Sequence, residues 1–248
     1  MQQSEQIAIA VPGGSLEARV VVPAKPTPGV LLVHGWDSDQ DHYQLRAEDF
    51  AELGCVCLTF DMRGHGQDSS QSETVSRGDN LQDVLAAYDR LAAHPDVDPR
   101  SITLIGTSYG GYLAAIASSL RPVRWLALRV PALYPDADWD VPKARLDREE
   151  VMNFRKRIQP PKGNRALSAC QAFKGDALVV GSVEDRTVPE QTIRSYVLAF
   201  QQAKSITHRS IAGADHGLSD ERSRRAYDKL LSRWMNERLL EARSYIGD

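Results

Sequence analysis

Apolar positions along the chain fall into short unbroken runs, separated by stretches with helical spacing. GVLLVHG (29–35), CVCLTFD (55–61), SITLIG (101–106), WLALRV (125–130) and DALVVGS (176–182) are apolar with little alternation. That pattern marks strands covered on both faces. SLEARVVV (15–22) alternates apolar and polar and predicts an exposed antiparallel strand, and SITHRSIAG (205–213) predicts a weaker last strand. Helical spacing predicts helices over 43–53, 80–93, 108–120, 188–203 and 220–241. In the second of these Leu81, Val84, Leu85, Tyr88 and Leu91 share one face, and Asp79 or Asn80 stands where a cap is needed. Strands alternating with helices predict an α/β fold, with a mostly parallel central sheet and helices on both faces.

One segment breaks this rhythm. Residues 131–172 are rich in proline, charge and aromatics, and a helix is predicted near 143–158. The segment follows one predicted strand and precedes another. The expected organisation is therefore a single domain over 1–248, with 131–172 a small cap-like insertion above the sheet.

Composition narrows the class. The 248 residues are 42% hydrophobic and 25% charged, which is enough for a sizeable core. A net charge of −3 supplies no basic field for nucleic acid. No apolar run approaches a membrane span, and MQQSEQIAIAVPGG has no basic start and no long apolar stretch of a signal peptide. Cys55 and Cys57 lie two apart on one face of a predicted strand and read as buried thiols, which fits a reducing cytoplasm. H-E-x-x-H, C-x-x-C and clustered histidines do not occur, so no metal site is expected. The expected partner is a small-molecule substrate, with neither nucleic acid nor membrane; a homodimer stays open.

The candidate chemistry centres on LIGTSYGGYLAA (104–115), where an apolar strand gives way to a run of small residues. In open parallel sheets ligands gather at the carboxyl ends of the strands. A serine on such a sharp turn, Ser108, is held with its hydroxyl clear of the chain, and the flanking glycines leave room for the neighbouring strand and helix. A serine hydroxyl needs a base. Of six histidines, His216 follows the last predicted strand and precedes the last helix. His34 and His65 read as residues that shape Gly-rich loops, and His42, His94 and His208 as surface or structural. The base in turn needs a carboxylate. Asp185, in GSVEDRTVP, is the first choice; Glu184, Asp215, Asp136 and Asp138 are its competitors. Backbone N–H groups of Tyr109 and Trp36 are the candidates for an oxyanion site.

HGW at 34–36, DMRGHG at 61–66, GTSYGG at 106–111, D-R-x-V-P at 185–189 and DH at 215–216 together resemble the α/β-hydrolase superfamily. The similarity covers nearly the whole chain. HPDVDPRSITLIGTSYGG is similar to the dienelactone-hydrolase and prolyl-oligopeptidase-related branch, which includes many small serine esterases. The resemblance implies an eight-stranded, mostly parallel sheet, no cofactor, and hydrolysis through an acyl-serine intermediate. The cysteine nucleophile of dienelactone hydrolases proper, the HGGG signature of hormone-sensitive lipases and the propeller of oligopeptidases have no counterpart here.

The expected function is therefore a carboxylesterase-like serine hydrolase acting on small esters or thioesters, with Ser108, Asp185 and His216 catalytic. Tyr134 and Trp139 are candidates for substrate contact, and Arg129 and Lys143 for favouring an acidic substrate. Acyl transfer or perhydrolysis, an aminopeptidase-like activity, and a catalytically silent binding module are the alternatives.

Overall fold

The computed structural model describes residues 3–22 and 27–244. Its eight strands are β1 (Gln3–Val11), β2 (Gly14–Val22), β3 (Thr27–Val33), β4 (Val56–Phe60), β5 (Val97–Thr107), β6 (Trp125–Arg129), β7 (Asp176–Ser182) and β8 (Ser205–Ile211). They form one sheet in the order β1-β2-β4-β3-β5-β6-β7-β8. β1–β2 and β2–β4 pair antiparallel, and every pair from β4–β3 to β7–β8 is parallel. This is the α/β-hydrolase fold.

The helices are α1 (Gln44–Glu52), α2 (Arg77–Ala92), α3 (Tyr109–Ala117), α4 (Arg148–Arg155), α5 (Arg165–Ala172), α6 (Glu190–Ala199) and α7 (Glu221–Ser244). Successive strand residues face opposite sides, and each side has its own helices. Leu31, Val33, Leu104, Leu126 and Val179 pack with residues of α2, α3, α5 and α6. Val30, Leu32, Ile105, Trp125 and Val180 pack with residues of α1 and α7. That two-sided burial is why these strands read as continuous apolar runs. Cys55 and Cys57 are buried thiols outside any disulfide, on the α1–α7 side.

The hydrophobic pattern located seven of the eight strands. The missing one, β1, forms a hairpin with β2 across Pro12–Gly13, where Gly13 adopts φ 85°. Helix α2 begins three residues earlier than its apolar face predicted. Ser76, rather than Asp79 or Asn80, is its cap: the Ser76 hydroxyl accepts from the Asp79 N–H, and the Asp79 carboxylate accepts from the Ser76 N–H in return.

Between β6 and β7, the helix expected near 143–158 is a 3-10 turn (Lys143–Arg145) followed by α4, which is capped by the Asp147 carboxylate. Helix α5 is capped by Asn164 and buries Ala166, Leu167 and Cys170 against the sheet-covering layer. Among the described residues no helix is long and apolar enough to cross a membrane.

Candidate active site

Strand β5 ends at Thr107 and α3 begins at Tyr109, which leaves Ser108 alone to turn the chain. It does so with φ 53° and ψ −114°, a strained conformation for a residue with a side chain. The turn is held from both sides. Ser108 N–H donates to Arg129 O at 2.9 Å, and Ser108 O accepts from Tyr112 N–H and Ala132 N–H. A Cβ on Gly106 would stand 2.5 Å from Gly110 O, and one on Gly110 would stand 2.2 Å from His34 O. Both positions therefore require glycine.

His216 lies in the loop after β8, and Asp185 in the loop after β7. His216 Nδ1 is 2.7 Å from Asp185 Oδ2, and His216 Nε2 is 3.0 Å from Ser108 Oγ. Asp185 Oδ1 accepts from the N–H groups of Thr187 and Val188, each at 2.8 Å. Burial works to raise the Asp185 pKa. The bonds from His216, Val188 and Thr187 outweigh it and hold the carboxyl below its ordinary value. An ionised Asp185 can only accept, so Nδ1 of His216 carries the proton and Nε2 is free to accept from the Ser108 hydroxyl. The Asp185 side chain is 1% exposed and that of His216 28% exposed, so the carboxylate is sheltered while the ring faces the opening.

Two of the competing carboxylates are bonded elsewhere, and none of the four is bonded to His216. Asp215 accepts from the N–H and hydroxyl of Ser219. Asp136 accepts from Arg165 N–H. Glu184 is exposed. Asp138 lies in the turn where its own carbonyl accepts from Val141 N–H.

The loop after β3 carries Trp36. His34, at its root, is buried: its Nε2 accepts from Met62 N–H, so Nδ1 donates to Gly35 O at 2.7 Å. Burial pushes the His34 pKa down to about 4, which keeps this brace neutral. His65 Nδ1 bonds Arg63 O, and its ring stands edge-on to Trp36 with centroids 4.6 Å apart. Its pKa too falls to about 4, through burial first and then the neighbouring His34. Trp36 in turn meets the Tyr109 ring edge-on at 5.4 Å. Among the described residues neither the Trp36 nor the Tyr109 backbone N–H has an acceptor within the protein.

Ser108, His216, Trp36 and Tyr134 line a cavity of about 580 Å³. The far wall comes from the 131–172 segment, through Lys143, Leu146, Val151, Met152 and Arg155. Val151, Met152 and Arg155 were not singled out in the sequence, although their spacing puts them on one face of α4.

Two expected contacts are relocated. Trp139 is not a lining residue; its ring packs under Arg77 and, at 4.4 Å, under Arg165. Arg129 does not face the cavity either, and its Nη2 donates to His216 O at 2.6 Å. His42 and His94 make local bonds, to Asp39 and from Asp96 N–H.

A family model of the prolyl oligopeptidase family matches residues 40–241. Human palmitoyl-protein thioesterase ABHD10, mitochondrial, is 34% identical over 104 residues, covering 41% of this chain and 32% of that protein. The chain thus spans about a third of the length of this curated relative. A structure of DcsB in complex with its substrate analogue matches with a TM-score of 0.72 at 17% identity, over 95% of this chain and 99% of that one. A dienelactone hydrolase from Anabaena variabilis matches with a TM-score of 0.66 at 20% identity, over 94% and 96%. At these identities the structural matches establish the fold alone.

Proposed function

The chain belongs to the prolyl oligopeptidase family of serine hydrolases, and we propose that it cleaves small carboxylic esters or thioesters through an acyl-serine intermediate. The observation that carries this reading is the hydrogen-bonded line Ser108–His216–Asp185, drawn from three separate strand ends at 3.0 and 2.7 Å.

In the proposed reaction Ser108 Oγ attacks the carbonyl carbon while His216 Nε2 takes its proton. The oxyanion that forms is received by the N–H groups of Trp36 and Tyr109; losing one such donor typically costs ~10²–10³ in rate. Collapse breaks the bond to the alcohol or thiol, which leaves with the proton from His216. Water then repeats the sequence on the acyl-Ser108 bond. The 131–172 segment acts as a small cap that shapes the pocket on a single domain.

Around the cavity the cations Lys143, Arg148 and Arg155 outnumber the carboxylates Asp37 and Glu73, which supports esters over aminoacyl amides bearing a free ammonium. The thioesterase named among the curated relatives supports including thioesters. Cys55, Cys57 and Cys170 are buried and outside any disulfide, which is in keeping with a reducing cytoplasm.

A fluorophosphonate probe tests the nucleophile. Wild type should be labelled stoichiometrically and Ser108→Ala not at all. On a panel of p-nitrophenyl esters beside aminoacyl-p-nitroanilides, short acyl esters should be the preferred substrates. Exclusive cleavage of the anilides overturns the ester reading.

A further inference from the structure

Among the described residues Lys143 is the one lysine on the cavity wall, and nothing in the reaction proposed above uses it. Its backbone is pinned: Pro142 bridges Ser76 in antiparallel fashion, and Lys143 N–H donates to Val75 O. From this anchored 3-10 turn Nζ reaches over the indole of Trp36, 3.6 Å from the ring centroid, with the Tyr109 ring at 5.5 Å. These two residues supply the candidate oxyanion amides, and Lys143 lines the same cavity as Ser108.

The cation is poorly compensated. Among the described residues Lys143 makes no ion pair, and its close partners are aromatic faces. Burial first, then the positive charges of Arg155 and Arg148, push its pKa down to about 7, against a partial opposing pull from Asp37. The remaining charged or titratable neighbours on this cavity are Glu73, Tyr134 and His216, and the His65 ring lies behind Trp36. Arg155 is already committed, donating from Nε to Leu133 O and from Nη1 to Thr187 O. Arg148 is exposed, so Lys143 is the half-buried cap cation that can take a ligand.

We propose that Lys143 is a carboxylate anchor, and that the preferred substrates of this cavity are esters or thioesters bearing a carboxylate a few bonds from the scissile carbonyl. The inference rests on the serine-hydrolase reading and names the substrate class of the same site. A carboxylate arriving at Nζ replaces a cation–π contact with a charge-assisted hydrogen bond and supplies the counter-ion that the site lacks.

The carboxylate can sit on the acyl side or on the leaving group, and paired substrates separate the two. p-Nitrophenyl hydrogen glutarate is compared with p-nitrophenyl valerate for the acyl side. 4-Carboxyphenyl valerate is compared with its methyl ester for the leaving group. Wild type should favour the charged member of at least one pair by about tenfold or more in kcat/KM, mainly through KM. Lys143→Met should collapse that ratio towards one, and Lys143→Arg should restore part of it.

Binding of glutarate to Ser108→Ala, followed by tryptophan fluorescence, reads the anchor without turnover and should be lost in Ser108→Ala/Lys143→Met. If no ester is cleaved but glutarate binds in a Lys143-dependent way, the hydrolase reading falls and the anchor stands. If esters are cleaved with no charge preference in either pair, or the preference survives Lys143→Met, the anchor is overturned and the hydrolase reading stands.

Discussion

Arg129, the last residue of β6, donates a 2.6 Å hydrogen bond from Nη2 to the carbonyl oxygen of His216, 87 residues further along the chain. The guanidinium is buried and its plane lies near the Tyr227 ring, 5.5 Å away, so its direction is fixed by packing. It holds the backbone of the candidate base in register with Ser108.

Replacing Arg129 by Met should therefore act through geometry. We expect kcat to fall about tenfold or more, since small misplacements of a reacting group are costly, while KM changes little. Arg129→Lys should recover part of the loss. Steady-state kinetics run well below each variant's melting transition check this; a melting shift with intact kcat assigns Arg129 to stability alone.

Tyr109 carries a second tether. Its hydroxyl donates to Asn80 Oδ1 at 3.0 Å in a fully buried setting, and Asn80 Nδ2 donates to Arg63 O and Asp83 Oδ2. Tyr109→Phe keeps the backbone amide and removes one donor, leaving the Asn80 oxygen unpaired. Urea unfolding should show a loss of about 1–3 kcal/mol.

The parts of this site that were legible in the sequence are those fixed by local chain geometry. Gly106 and Gly110 announce the Ser108 turn because the close approach of the backbone there excludes every other residue. His216 and Asp185 were found because strand ends converge on one side of a parallel sheet. The pattern failed where a partner is remote or an element is short. Arg129 sits inside an apolar run, and its bond to His216 leaves no local trace. Strand β1 alternates Ile7 and Ile9 with small and polar residues and lacks the continuous apolar run of its buried neighbours. Helix α5 follows Pro160, Pro161 and Gly163, which read as irregular chain, although Asn164 is a cap three residues before Leu167. Trp139 was assigned to a pocket on its aromaticity; two guanidiniums claim its faces instead.

His34 and His65 make stability depend on acidity. In the unfolded chain each imidazole takes up a proton below about 6.5, and in the folded chain only near 4. Between these values the unfolded state binds more protons, so stability rises with pH across the window and falls on acidification. Urea unfolding at pH 7 and at pH 4.5 should show this decline. His65→Asn keeps a donor for Arg63 O but removes one titrating ring, and should make the decline shallower by on the order of 1–3 kcal/mol. An equal decline in both proteins contradicts a buried neutral His65.

Gly110→Ala places a methyl group 2.2 Å from His34 O and 2.4 Å from Val33 O, both backbone atoms of a central strand and its exit. Neither can swing away as a flexible side chain would. We expect a cost at or above the upper end of overpacking, about 3 kcal/mol or more, seen as a large drop in melting temperature or as loss of soluble protein. Gly14→Ala, where nothing stands within 4 Å, is the matched control and should melt near wild type.

Asp185→Asn tests the proton geometry most directly. The amide oxygen can still accept from Thr187 and Val188, so the loop should keep its shape. The other side-chain atom then becomes an NH2 group facing His216 Nδ1. Two donors cannot share that contact, so the ring turns to the tautomer with its proton on Nε2, where it can no longer accept from Ser108. kcat for an activated ester should fall by on the order of 10³–10⁴ with little change in KM, as when a catalytic histidine loses its ionised partner. Fluorophosphonate labelling of Ser108 should slow in parallel. A loss below tenfold in both measurements would remove Asp185 from the proposed mechanism and return Asp136 and Asp138 to consideration.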